Sequence, residues 1–177
     1  MSSERHPNHR DPASLPAELR RPGVPAAVRA WVARETGAAV VRVRRLAGAS
    51  STAVHRVDLA RGGTLVLRRY AWPGFLEDEP IAPQREVEAL GLAAGQGLPA
   101  PAVVAADVTG SAVGDGVPVV LMTLLPGRAV AVPDPARLAA VAAAIHEVDA
   151  GGFGHDYFAW YEGTTTVPPP EARRPAL

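Results

Sequence analysis

Between Val41 and Tyr70 the apolar residues recur at every second position, in three runs cut by small and glycine-rich turns, and that spacing commits the segment to β-structure. In Val41-Arg42-Val43-Arg44 the valines face one way and the arginines the other, as in a half-buried strand. Gly48-Ala49-Ser50-Ser51 is a turn, Ala53 to Leu59 a second strand, Arg61-Gly62-Gly63 a tight hairpin and Thr64 to Tyr70 a third strand. Helical signals flank the block. Upstream, Pro25 opens a short helix whose Val28, Trp31 and Val32 share a face and which Gly37 ends. Downstream, Trp72 to Ile81 reads as an irregular acidic loop. Pro83 then starts a helix through Val87, Leu90 and Leu92 that breaks at Gly95-Gln96-Gly97.

Two more strands follow, Val103 to Asp107 and Val117 to Leu125, with Asp115-Gly116 as the hairpin signal between them. A linker runs from Pro126 to Pro133. Asp134 is a good N-cap and Pro135 a good first residue for a helix reaching about Ala150, with Leu138, Val141, Ile145 and Val148 as its apolar stripe and Gly151-Gly152 as its stop. Residues 1–23, proline-rich and without apolar period, read as a disordered leader, and residues 164–177 as a loose, low-complexity tail.

Composition closes off several chemistries. A hydrophobic fraction of 47% with 20% charged residues is globular, so wholesale disorder is excluded. No apolar run approaches the roughly 20 residues of a membrane span, and Met1 to Pro7 lacks the apolar core of a secretory signal, so a cytoplasmic protein without a membrane partner is expected. Eighteen basic and eighteen acidic residues cancel, which gives no global field toward nucleic acid. With no cysteine there are no disulfides, thiolate metal sites or thiol nucleophiles. Every basic residue is Arg, and Asn occurs once, at Asn8, so chemistry that needs a Lys or a downstream Asn has no candidate.

The element order, three strands, a helix, two strands, a linker and a helix, resembles a protein-kinase-like small lobe with its hinge and the first part of a large lobe. The local sequences carry the likeness further. Leu65-Val-Leu-Arg-Arg, Arg85-Glu-Val-Glu-Ala-Leu-Gly-Leu, Gly97-Leu-Pro-Ala-Pro-Ala-Val-Val, Val120-Leu-Met-Thr-Leu-Leu-Pro-Gly-Arg and Ala144-Ile-His-Glu-Val occur in that order over more than a hundred residues. Together they resemble the aminoglycoside phosphotransferase family, a kinase-like group that includes choline kinases. The fold this implies is α+β: a five-stranded antiparallel sheet plus a helix over residues 24–125, a hinge over 126–133, and the start of a large lobe over 134–163.

The function implied is an ATP-dependent phosphotransferase acting on a small hydroxyl-bearing acceptor. On the resemblance, Gly48, Ser50, Ser51 and Thr52 form the turn over the ATP phosphates, where small residues let backbone N–H groups approach. Arg68 stands where kinases place a phosphate-binding Lys, and Glu86 on the following helix holds its guanidinium. By strand alternation Val66, Arg68 and Tyr70 share a face, and Arg69 points away from it. Thr123 and Leu125 offer backbone groups to adenine; Met122 is either packed beside the base or plain core filler. His146 is a helix-end residue suited to a C-terminal cation.

The family's Mg²⁺ ligands and catalytic base lie in a His-Gly-Asp…Asn segment and a later Asp segment, and neither is present. Gly154-His155-Asp156-Tyr157 has no following Asn and is rejected as a catalytic loop, so no catalytic and no metal-binding residue is assigned. The sequence therefore reads as an incomplete phosphotransferase lacking most of its large lobe and inactive alone. The alternative is a non-catalytic nucleotide-binding or interaction module of the same fold.

Overall fold

The computed structural model describes residues 17–49, 51–127 and 132–155. The chain is α+β, a five-stranded sheet with helices on both faces. The strands are β1 (Val40–Arg45), β2 (Ala53–Leu59), β3 (Thr64–Arg69), β4 (Val103–Asp107) and β5 (Val119–Thr123), in the spatial order β1-β2-β3-β5-β4 with every neighbouring pair antiparallel. The helices are α1 (Ala17–Arg20), α2 (Ala26–Thr36), α3 (Pro73–Asp78), α4 (Ala82–Gly95) and α5 (Pro135–His146).

Alternation splits the core between the two sheet faces. On one face Val28, Trp31 and Val32 of α2 pack on Val57, Leu67, Val119 and Leu121, all nearly inaccessible to solvent. Gly37 ends α2 with φ +65, a left-handed cap that favours glycine. On the other face Val87 and Leu90 of α4 cover Val66, Tyr70, Val120 and Met122. Successive β3 residues thus face different layers: Leu65 and Leu67 face α2, while Val66 and Tyr70 face α4.

Several sequence expectations need correction. The leader boundary at residue 23 is too late, because α1 buries Leu19 against Ala53 and Ala71, and the Arg45 N–H bonds the Pro22 carbonyl. Trp72 to Ile81 is not irregular throughout: Pro73 at the first turn supports α3. In β1 a bulge between Val40 and Arg42 pushes Val41 out to 61% exposure, and Val40 and Val43 pack on the core instead. The fifth strand is shorter than Val117 to Leu125, and Leu124 and Leu125 are exposed beyond it. Leu92 lies off the face that carries Val87 and Leu90 and lines a groove toward α5.

Asp115-Gly116 does turn the chain, but at the end of a longer loop over residues 108–118 rather than as a two-residue hairpin. Asp115 Oδ1 accepts from the Val117 N–H at 3.1 Å and its Oδ2 from Arg69 at 2.8 Å. Gly110, at φ +74, allows this loop to close, since a Cβ there would lie 2.2 Å from the Val117 nitrogen. Asp134 caps α5 as expected, accepting from the Ala136 N–H at 2.9 Å. The helix ends at His146, well before Gly151, because Glu147 and Val148 close a final turn on the Ala143 and Ile145 carbonyls. The expected tail over residues 164–177 lies outside the described residues.

Candidate functional site

On β3, Arg68 sits between Val54 of β2 and Val120 of β5, so its side chain emerges on the face that α4 covers. One turn into α4, Glu86 points back at it. Arg68 Nη1 lies 2.9 Å from Glu86 Oε1, with the Arg side chain 38% exposed and the Glu side chain 17%. The second carboxylate oxygen, Oε2, accepts the hydroxyl of Tyr70, two residues along the same face of the sheet. Glu86 is therefore held from two points on β3 and its C-terminal end, one cationic and one neutral.

Tyr70 was visible in the sequence only as a face-mate of Arg68. Burial to 4% exposure requires its hydroxyl to find an acceptor, and Glu86 Oε2 is the acceptor it finds. Burial pushes the phenol above its ordinary value, and donation to Glu86 pushes it further in the same direction, so it stays protonated and is a hydrogen-bond donor at neutral pH. Phe75 of α3 stacks on the Tyr70 ring at 6.1 Å, which is how the unforeseen helix supports the site. At the α3–α4 elbow Arg85 reaches Glu79 at 3.1 Å.

The neighbours of the pair confirm the strand register. Arg69 faces the opposite layer, 1% exposed, with its guanidinium 2.8 Å from Asp115. Its direction was legible and its burial was not. Glu88, one turn position away from the site, bonds Gln84 at 2.9 Å and His155 at 2.7 Å. His155 thereby ties the segment after α5 back to α4, edge-on to Phe153, and takes no part beside Arg68.

The remaining predicted residues are placed less uniformly. Gly48 and Ser51 lie in the β1–β2 connection, Gly48 at φ +100, and Thr52 is buried at the foot of β2, one residue before the Ala53 that pairs with Arg69. Ser50 lies outside the described residues. Met122 is 5% exposed inside the layer between sheet and α4, packed with Val66, Tyr70 and Val120. Thr123 gives its N–H to the Ala102 carbonyl at 2.9 Å and its hydroxyl oxygen accepts the Ala102 N–H at 2.9 Å, so this residue's N–H is already committed. Leu125 sits past the strand with 43% of its surface exposed. His146 is the last residue of α5.

Chemically, the site presents one cation in a fixed orientation. Glu86 and Tyr70 fix the guanidinium, and because it has five N–H donors and its side chain is 38% exposed, the group retains donor capacity toward solvent. Among the described residues no group of three or more His, Asp or Glu side chains is arranged to hold a metal ion, and no helix is long and apolar enough to cross a membrane.

No family model matches the chain. No curated protein matches it either. Among solved structures the chain is similar to a protein from Thermobifida fusca described as a "putative fructosamine-3-kinase", with 24% identity and a TM-score of 0.44. The alignment covers 64% of this chain and 34% of that one, so the chain spans about a third of that protein's length.

Proposed function

We propose that this chain is the nucleotide-binding lobe of an ATP-dependent kinase acting on small hydroxyl-bearing molecules, of the aminoglycoside phosphotransferase type. The observation that carries the reading is the Arg68–Glu86 pair at 2.9 Å, joining the third strand to the helix that follows it. In a kinase-like small lobe that pair presents a cation to the phosphates of the nucleotide. The five quoted stretches resembling the family support it, as does the position of Ser51 and Thr52 at the foot of β2, beside the end of β3 that carries Arg68.

The residues fit the triphosphate better than they fit its metal. Arg68, whose side chain is 38% exposed, supplies phosphate donors from the exposed part of its guanidinium, and Glu86 with Tyr70 keeps the group from swinging away. The turn at Gly48, Ser51 and Thr52 covers the phosphates in this reading, and the stretch from Thr123 to Leu125 borders the base. At Thr123 the contact falls to groups other than its N–H. The described residues supply no ligand set for Mg²⁺, so no step is assigned to a metal here. ATP, when bound, supplies the phosphoryl group. This chain's residues bind and orient it, and the base that receives the acceptor's proton is assigned to none of them.

The test is calorimetric titration of the 177-residue chain with ATP and, separately, with adenosine. Arg68→Ala should weaken ATP binding by about tenfold, or ~1.4 kcal/mol, while leaving adenosine binding within error. Equal ATP affinity for wild type and Arg68→Ala, or no ATP binding by the wild type, overturns the reading.

A further inference from the structure

Tyr70 has surroundings on another side besides Glu86. A cavity of about 300 Å³ opens beside it, between the end of β3, helix α3 and residues 116–117 of the loop before β5. Ala71, Pro73, Leu76 and Val117 give it apolar walls, and Glu77 is the one charged residue in its lining. Ligand cavities run from roughly 300 to 1,000 Å³, so this one suits a small molecule.

The walls are fixed by contacts made elsewhere. The Tyr70 N–H bonds the Pro118 carbonyl at 3.0 Å, and the Val117 N–H bonds Asp115 Oδ1 at 3.1 Å. Phe75 of α3 stacks on Tyr70, and Leu76 packs in the same apolar cluster. The carboxylates around the cavity differ in what they are free to do. Asp115 is engaged by Arg69 and Glu79 by Arg85. Glu77 is exposed and makes no hydrogen bond or ion pair among the described residues. A preformed apolar recess with one uncommitted carboxylate is complementary to a small organic cation: its carbon body displaces water from the walls and its ammonium meets Glu77. Tyr70 also donates its hydroxyl to Glu86, so a ligand that holds Tyr70 and α3 in place bears on the carboxylate that orients Arg68.

We propose that this cavity binds a small organic ammonium ion, a protonated amine on a short apolar or aromatic body, and that its occupancy is transmitted to Glu86 through Tyr70. Regulation of nucleotide binding by that link rests on the function proposed above; the binding itself does not. The probe is benzylamine, with benzyl alcohol as its neutral counterpart and benzoate as its anionic one, titrated into the full 177-residue chain at pH 7 and followed by NMR. The Leu76 and Val117 methyl signals should shift saturably with benzylamine, and the Glu86 side-chain carboxyl carbon should follow the same curve. Glu77→Gln should weaken benzylamine about three- to fivefold, the scale of an exposed ion pair, and leave benzyl alcohol unchanged, while benzoate should bind more weakly than either. In Tyr70→Phe the methyl signals should still shift and the Glu86 carbon should not. Methyl signals that never saturate, a benzylamine affinity indifferent to Glu77→Gln, or a Glu86 signal that moves equally in Tyr70→Phe overturns the inference.

Discussion

Glu86→Ala removes the acceptor that both Arg68 and Tyr70 use, and the two losses differ in size. The Tyr70 hydroxyl sits in a residue only 4% exposed, so without Glu86 it becomes a buried donor that has lost its acceptor; such a group costs about 1–3 kcal/mol. The Arg68 guanidinium is 38% exposed, and water screens what it loses to about 0–1 kcal/mol. Glu86→Ala should therefore cost about 1–4 kcal/mol in all. Tyr70→Phe deletes the donor along with its bond and leaves the carboxylate on Arg68, at about 1 kcal/mol. In a double-mutant cycle by urea unfolding, the Tyr70–Glu86 coupling should be about 1–2 kcal/mol and the Arg68–Glu86 coupling below about 1 kcal/mol. If Glu86→Ala costs the same with and without the Tyr70 hydroxyl, the neutral bond contributes nothing. If the Arg68 coupling is the larger, the screening argument is wrong and the ion pair dominates the site.

Three further outcomes follow from contacts outside the site. Gly110→Ala should cost at least about 2 kcal/mol, because its Cβ would meet the Val117 nitrogen at 2.2 Å on backbone at φ +74; Gly114→Ala, at φ +90 in open space, should cost only about 1 kcal/mol, both read from thermal or urea unfolding. Asp115→Ala should cost on the order of 3 kcal/mol by withdrawing the carboxylate from an Arg69 that is 1% exposed, and Arg69→Met in the same chain should recover part of that loss. On the acid side, Asp58 is held below its ordinary value by Arg56 and then Thr64, and Glu88 by Gln84 and then His155. Burial raises Asp107, but the N–H bonds from Val113 and Ala112 outweigh it and its value is also lowered. Each group binds protons more weakly folded than unfolded, so their stabilisation is complete above the ordinary values of 3.8 and 4.5 and is lost as pH falls through the lowered ones. Urea midpoints should be level from about pH 5 to 7 and fall below about pH 4, with Asp107→Asn flattening part of that fall; a midpoint unchanged down to pH 2 would refute the sign.

The alternation of Leu65, Val66, Leu67, Arg68 and Arg69 was enough to set the third strand's register, and with it which arginine meets α4 and which points away. A period of two leaves no freedom once one face is apolar, because a one-residue slip turns every side chain over. The caps at Gly37 and Asp134 were equally local, each a matter of one residue's backbone or side-chain chemistry. Sequence spacing also made Glu86 a candidate partner for Arg68. It did not indicate that Tyr70 would take the second carboxylate oxygen, because that bond depends on how closely α4 lies on the sheet and how far Tyr70 is buried. The bulge that expels Val41, the α1 turn that buries Leu19, and the passage of Arg69 into the α2 layer beside Asp115 have the same origin. Short polar or proline-rich stretches carry no period of their own, so packing against distant strands decides whether they fold. The α5 stripe was legible as a helix face, but only the tertiary structure determined that α4 leaves half of it uncovered. Periodicity states which side chains share a face; it holds no information on what stands opposite, since that contact is made across dozens of residues of intervening chain.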